Sequence, residues 1–259
     1  MKLTLVKIGG NVIDNPDACA AFLQAFAQLE GQKILVHGGG KIATQTAAQL
    51  GIETKMVEGR RRTDRPMLDV VTMVYGGLVN KNLVAQLQAN SCNAIGLTGA
   101  DGGIIRSVKR PVKTIDYGFV GDIEQVNAGQ IDALLQSGLV PVIAPLTYSA
   151  EGLLLNTNAD TMASATAVAM AQKHKMNLIY CFEKKGVLSD PDDDDAVISK
   201  LNPASYADYK EKGIINKGMI PKLDNAFAAL QSGVRRVTIC HAEDLLDAVE
   251  EKAGTVLEI

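Results

Sequence analysis

Two glycine clusters near the start of the chain, in VKIGGN and VHGGGK, each directly follow a short apolar run. Glycine at such a handover costs conformational entropy and is kept where another group must come close to the backbone. Each cluster leaves backbone N–H groups at the end of a strand, where an anion binds, and a following helix adds its positive end. Glycine also serves tight strand-to-helix connections, so either cluster alone is ambiguous. Lys7, ahead of Gly9 and Gly10, ends an otherwise apolar strand, and its ammonium must emerge among those glycines. A cation beside a ring of N–H donors makes a phosphate clamp.

Three further stretches carry polar groups of the same kind. EGRRRTD places Arg60, Arg61 and Arg62 on a connection ahead of a helix, where a guanidinium fork suits a carboxylate or simply faces water. LLLNTNADT places Asn156, Asn158 and Asp160 after an apolar strand, Asp160 being either a helix N-cap or a catalytic group. KGMIPKLDNA offers Lys217 and Lys222 on a loop and a helix start. The chain has no G-x-x-x-x-G-K-[ST] and no G-x-G-x-x-G after a strand. The usual loop of nucleotide hydrolases and the dinucleotide fingerprint are thus both absent.

The formal net charge of -3 provides no basic field for nucleic acid and no polybasic patch for a membrane, so the expected partner is a small molecule. No apolar run approaches the roughly 20 residues that span a bilayer. The opening MKLTLVKIGG enters a strand without a signal-peptide pattern, which predicts a cytoplasmic protein. Cys19, Cys92, Cys181 and Cys240 are far apart in apolar surroundings and read as reduced, buried thiols. His37, His174 and His241 are too scattered for a metal site, and His37 either touches a ligand or is structural. DPDDDD spaces carboxylates at Asp190, Asp192 and Asp194, but Asp195 and Leu201 stand where a calcium loop needs Gly and Glu, leaving a solvated acidic loop. No metal site is expected.

Short β-branched runs alternate with helical patterns almost throughout, the signature of a mostly parallel sheet covered by helices. LTLVKI, KILVHG, NAIGL, LVPVIAPL, NLIYCF and RRVTIC read as strands. Asn15 and Pro16 open one helix that Gly31 stops, and Asp64 and Pro66 open a long one weakened by Gly76 and Gly77. The stretch from Ile104 to Val126 alternates and reads as strands and hairpins. At EKKGVLSDPDDDDAVI the chain changes character, which places a lobe change near residue 175 within one continuous sheet.

Taken together, KIGGN, VHGGGK, GRRRTD, GLTGADGGII, YGFVGDI, LNTNADT and KGMIPKL resemble the amino acid kinase family in order and spacing over nearly the whole chain. YGFVGDI and LNTNAD are most similar to the branch that phosphorylates the side-chain carboxylate of an N-acylated L-glutamate. The resemblance implies an α/β fold, an open three-layer αβα sandwich. Residues 1–175 would form the lobe for acylglutamate and dimerisation, and residues 176–259 the lobe for ATP. It implies that Lys7 and Lys222, with Gly9 and Gly10, meet the nucleotide phosphates and the moving phosphoryl group. Gly39 and Gly40 would present N–H groups to the substrate, Arg61, Asn156 and Asn158 would hold the glutamate, and Asp160 would orient the lysines. Mg2+ would ride on the ATP phosphates.

The chain departs from the family pattern in three places. The usual G-x-R-v-T has one arginine, whereas Arg60 and Arg62 here flank Arg61. Either they face solvent or they read a larger, anionic acyl end such as that of N-succinyl-L-glutamate. CFEKKGVLSD replaces the usual Thr-Asp-Val before Gly, so Glu183, Lys184 and Lys185 alter the nucleotide side, and Lys217 adds charge near the phosphate path. The family's arginine-inhibited hexamers carry a helix before the first strand. With Lys7 only seven residues in, a homodimer without arginine feedback is expected, built on the long helix after Asp64. The rival from another class is a silent nucleotide or amino-acid sensor.

Overall fold

Residues 2–57, 60–190, 192–215 and 219–259 are described by the structure, a computed structural model. Lys217 lies outside them. β1 (Lys2–Ile8) leads into a single turn, α1 (Gly10–Ile13), and then α2 (Pro16–Gln28). The side-chain oxygen of Asn15 accepts from the N–H groups of Asp17 and Ala18 at 3.1 and 3.2 Å, the cap its position implied. β2 (Gln32–His37) passes through the second glycine cluster into α3 (Gly40–Gln49), and a small ribbon of β3 (Met56–Val57) and β4 (Arg60–Arg61) carries two of the arginines.

The long helix after Asp64 is wound in three parts: α4 (Arg65–Val71), a π-helical segment (Thr72–Val79) and α5 (Asn80–Ala89). Asp64 caps it by accepting from the Met67 N–H at 3.0 Å. Gly76 and Gly77, which weaken an α-helix, sit inside the π-wound stretch and let the backbone take that wider turn. β5 (Ala94–Leu97) follows, then β6 (Ile105–Lys109) and β7 (Gly121–Val126), an antiparallel pair with a register shift at Arg106/Ser107. After α6 (Ala128–Gln136) and β8 (Val140–Ile143), the run read as one strand breaks at Pro145. It resumes as β9 (Leu146–Tyr148), paired with β10 (Leu154–Asn156) ahead of α7 (Ala159–Ala171). The remainder is β11 (Lys175–Phe182), β12 (Lys200–Leu201), α8 (Pro203–Glu211), α9 (Ile220–Gln231), β13 (Arg236–His241), α10 (Leu245–Val249) and β14 (Thr255–Leu257).

The chain packs as two units, Met1–Ile34 with Ala163–Ile259, and Leu35–Met162. In the first, the strands run in the order β12-β14-β13-β11-β1, parallel except where β14 meets β13. All seven residues of β1 pair with β11, from Lys2↔Lys175 to Ile8↔Cys181. That ladder is why the first strand packs with the C-terminal part of the chain. Leu3 to Ile8 and Met176 to Phe182 are buried throughout, as strands covered on both faces must be. In the second unit β8 lies between β2 and β5, parallel to both, and a four-stranded sheet runs β10-β9-β6-β7. The expected α/β class is what each unit shows, with mostly parallel strands in the first and mixed pairing in the second.

Candidate active site

Gly38, Gly39 and Gly40, between β2 and α3, line a pocket of about 210 Å³ in the unit Leu35–Met162. Gly39 takes φ 141°, which side chains rarely adopt, and a Cβ there would stand 3.2 Å from the Tyr75 ring. The turn therefore needs glycine on both conformational and steric grounds. Gly40 starts α3, where the first N–H groups have no partner within the helix and are available to an anion.

Arg61 is buried beside this turn. Its Nη2 donates to the Gly40 carbonyl at 2.7 Å and to Thr44 Oγ1 at 2.8 Å. Nη1 reaches Thr54 Oγ1 at 3.3 Å and the Met67 sulfur at 3.8 Å. With both terminal nitrogens engaged, Arg61 is a fixed positive wall of the pocket, not the free fork that its sequence position suggested. Tyr75 joins the same wall. Burial raises its phenol pKa, and the nearby Arg61 charge and hydrogen bond oppose that rise.

Asn156, at the end of β10, is buried with its amide nitrogen donating to Thr63 Oγ1 at 2.9 Å. Asn158 also lines the pocket, but its side chain is the N-cap of α7, accepting from the Thr161 N–H at 2.9 Å. Asp160 is therefore not the cap. It lies in the first turn of α7, just past the lining residues Asn158 and Ala159. Of the two added arginines, exposed Arg60 lines the pocket, whereas exposed Arg62 does not and ties its backbone N–H to Lys55 at 2.8 Å.

The other expected groups belong to the other unit. Lys7 is buried at the end of β1, and the following Gly9 donates its N–H to the Cys181 carbonyl at 2.8 Å. Gly9 thus spends on the sheet the donor expected for phosphate, and Gly10 is the glycine of this turn that opens a helix. Lys222, in the first turn of α9, places its ammonium 4.9 Å from the centre of the Phe182 ring, at the end of β11. As β1 and β11 are parallel, Lys7 and Lys222 share the carboxyl end of one sheet, where ligands bind in folds of this class. Lys184 and Lys185 are turned to the acidic loop. Lys184 pairs with Asp194 at 2.6 Å and Lys185 with Asp195, so their charges are met on the surface. Glu183 accepts from Asn11 at 2.9 Å.

Tyr75 and Arg110 are among the pocket residues that the sequence did not single out. Tyr75 sits in an apolar helical run and has no distinguishing signal. Arg110 forms a doubly bonded pair with Asp122, Nε to Oδ1 at 3.0 Å and Nη2 to Oδ1 at 2.5 Å, across the hairpin β6–β7. Reading that hairpin's register pairs could have found it.

The model of the amino acid kinase family matches residues 2–241. The acetylglutamate kinase of Cytophaga hutchinsonii is 58% identical over 259 residues, covering 99% of this chain and 98% of that protein. The acetylglutamate kinase of Phocaeicola vulgatus is 56% identical over 257 residues, covering 99% and 98%. Among solved structures, smu.665 from Streptococcus mutans UA159 superposes with a TM-score of 0.78 at 29% identity, covering 98% of each chain.

The His at the head of the glycine turn gives the site a pH signature. His37 is fully buried, and desolvation lowers its pKa from 6.5 to about 4, opposed by the hydrogen bond to the Gly38 backbone and aided by the Lys81 charge. Above pH 6.5 the ring is neutral in both folded and unfolded chains and costs nothing. Between 6.5 and about 4 only the unfolded chain takes the proton, so stability falls as pH falls through that window. Urea unfolding at pH 7 and pH 5 is expected to show His37 contributing a loss of about 2 kcal/mol. The His37→Asn protein should lack that part of the slope, and an identical slope in both proteins would refute it.

Proposed function

The chain belongs to the amino acid kinase family, and from that premise we propose that it transfers the γ-phosphoryl group of ATP to the side-chain carboxylate of N-acetyl-L-glutamate. The product is N-acetyl-L-glutamyl 5-phosphate, an intermediate of arginine biosynthesis. The observation that carries this reading is the near-full-length identity of 58% and 56% to two acetylglutamate kinases. Those relatives favour neither the succinyl substrate nor a silent sensor. We further infer a cytoplasmic enzyme; no helix among the described residues is long and apolar enough to cross a membrane.

The unit Leu35–Met162 takes the acylglutamate in this reading. Arg61 supplies a buried positive charge, Gly39 and Gly40 supply N–H donors, and Asn156 and Asn158 form polar wall. Arg60 and Arg62 are the acyl-end candidates, and only Arg60 reaches the pocket. The unit with Lys7 and Lys222 takes ATP, and a slot lined by Val187, Leu188, Ile214, Ile215 and Met219, with Lys184 and Gly186 beside them, suits a nucleotide base. The side-chain carboxylate attacks the γ-phosphorus as the bond to the β,γ-bridging oxygen breaks, and ADP leaves. The nucleophile is already ionised at neutral pH, so no proton moves and no general base is required. Lys7 and Lys222 offset the repulsion between two anions and stabilise charge on the equatorial oxygens, with Gly10 as backbone donor and Asp160 orienting the lysines. No group of three or more His, Cys, Asp or Glu among the described residues gathers as a metal cage. Mg2+ carried on the ATP phosphates would neutralise part of their charge.

Hydroxylamine trapping of the acyl phosphate, with ATP, Mg2+ and N-acetyl-L-glutamate, tests the activity. Lys7→Ala and Lys222→Ala are expected to lower kcat by about a hundredfold or more with the far-UV circular dichroism unchanged. Arg61→Ala should raise KM for the acylglutamate instead, and wild-type silence would sink the reading.

We also propose a homodimer through the helical segment after Asp64. Met73 and Leu78 are 54% and 51% exposed and five residues apart in the π-wound stretch, so they share one face. Light scattering should give twice the 27.5 kDa of one chain, and Leu78→Arg should shift the mass toward the monomer. A monomeric wild type would exclude this interface.

A further inference from the structure

One hydrogen-bond chain joins the glycine turn to the start of α5. The Nδ1 atom of His37 lies 2.7 Å from the Gly38 carbonyl oxygen, which only accepts, so Nδ1 carries the ring's proton. Nε2 is then bare and accepts from Asn80 Nδ2 at 3.1 Å. The same amide nitrogen donates to the Val142 carbonyl at 2.9 Å, and Asn80 Oδ1 accepts from Lys81 Nζ at 3.1 Å. Both ends of the Asn80 amide are therefore fixed by partners that admit no exchange of roles. Gly96 leaves room for this amide, since a Cβ there would stand 2.0 Å from Asn80 Oδ1.

Asn80 is buried and is not among the residues lining the pocket, yet the chain it starts ends at the pocket floor. In a planar trans peptide the carbonyl of one residue and the N–H of the next point in opposite directions. Pinning the Gly38 carbonyl therefore fixes the direction of the Gly39 N–H, just as Arg61 and Thr44 constrain the group around Gly40. Burial alone would keep the imidazole neutral without choosing which nitrogen holds the proton. The other tautomer would set a bare Nδ1 against the Gly38 oxygen, two acceptors face to face, and the peptide would turn.

We propose that Asn80 is a positioning residue for phosphoryl transfer: it holds His37 as the Nδ1–H tautomer, which pins the Gly38 carbonyl and aims the Gly39 N–H at the acylglutamate carboxylate that receives the phosphoryl group. The assignment rests on the kinase reading above. Asn80 touches no substrate; it acts on the transition state through the ring of His37 and one peptide plane.

The chain has three histidines, so a long-range 1H–15N correlation spectrum of the labelled protein resolves His37. The wild type is expected to show its proton on Nδ1. Asn80→Asp replaces the donor with a carboxylate oxygen that favours the neutral ring's proton on Nε2, and a folded variant whose Nδ1 keeps its proton overturns the role assigned to Asn80. With N-acetyl-L-glutamate and ATP, kcat should then fall about tenfold or more while both KM values stay within about twofold. Asn80→Leu, which removes the Nδ2 donor without adding a charge or another donor, covers the case in which the buried carboxylate unfolds the chain, and the same kcat loss is expected. A wild-type His37 protonated on Nε2 overturns the proposal, as does an unchanged kcat in a folded variant whose ring has switched. A loss confined to KM also overturns it. An inactive wild type with His37 protonated on Nδ1 would instead fault the kinase reading and leave the tautomer assignment standing.

Discussion

The contact of Arg61 with the Gly40 carbonyl holds the candidate site together. A buried guanidinium is costly unless its donors are met, and here the terminal nitrogens draw on Gly40 and Thr44 of α3, Thr54 and Met67 of α4. Three separate stretches of chain are thereby fixed to one positive point. The glycine turn cannot drift from that charge, and neither can the start of the long helix that carries Tyr75. In the proposed reading, a substrate carboxylate entering the pocket meets a charge whose orientation has already been set, which is the condition under which electrostatics lowers a barrier.

Much of this was legible in residue order. Asn15, Pro16 and Asp64 mark helix starts that the structure confirms, because capping depends on a few adjacent residues. The glycine turns and Arg61 were legible for the same local reason. What escaped notice depends on residues distant in sequence. Arg110 matters through Asp122 across a hairpin, and Tyr75 lines the pocket from the π-wound stretch that contains Gly76 and Gly77. Asn158 was read as a ligand contact, yet its oxygen caps α7, a competition between two local uses of one amide that motif matching does not decide.

The other unit handles charge by a different route. Lys184 and Lys185 stand where the family pattern has no lysines, and they are met by Asp194 and Asp195 from the acidic loop. These pairs are exposed and worth little to stability. Their effect is on the local field: two added cations near the end of β11 are cancelled within the loop that follows. Lys222 is held by the face of Phe182, an attraction that positions an ammonium without neutralising it.

The placement of His37 follows from the chemistry proposed. A carboxylate nucleophile needs no base, so a titrating imidazole next to the anion site would bring only a pH-dependent charge. Burial removes that charge near neutral pH, and what is left is a rigid aromatic body with one donor and one acceptor. Such a group transmits direction and not protons. The histidine beside the glycines, a candidate ligand in the sequence, thus acts inside the fold, and the positive charge of the pocket is left to arginine, which no physiological pH can discharge.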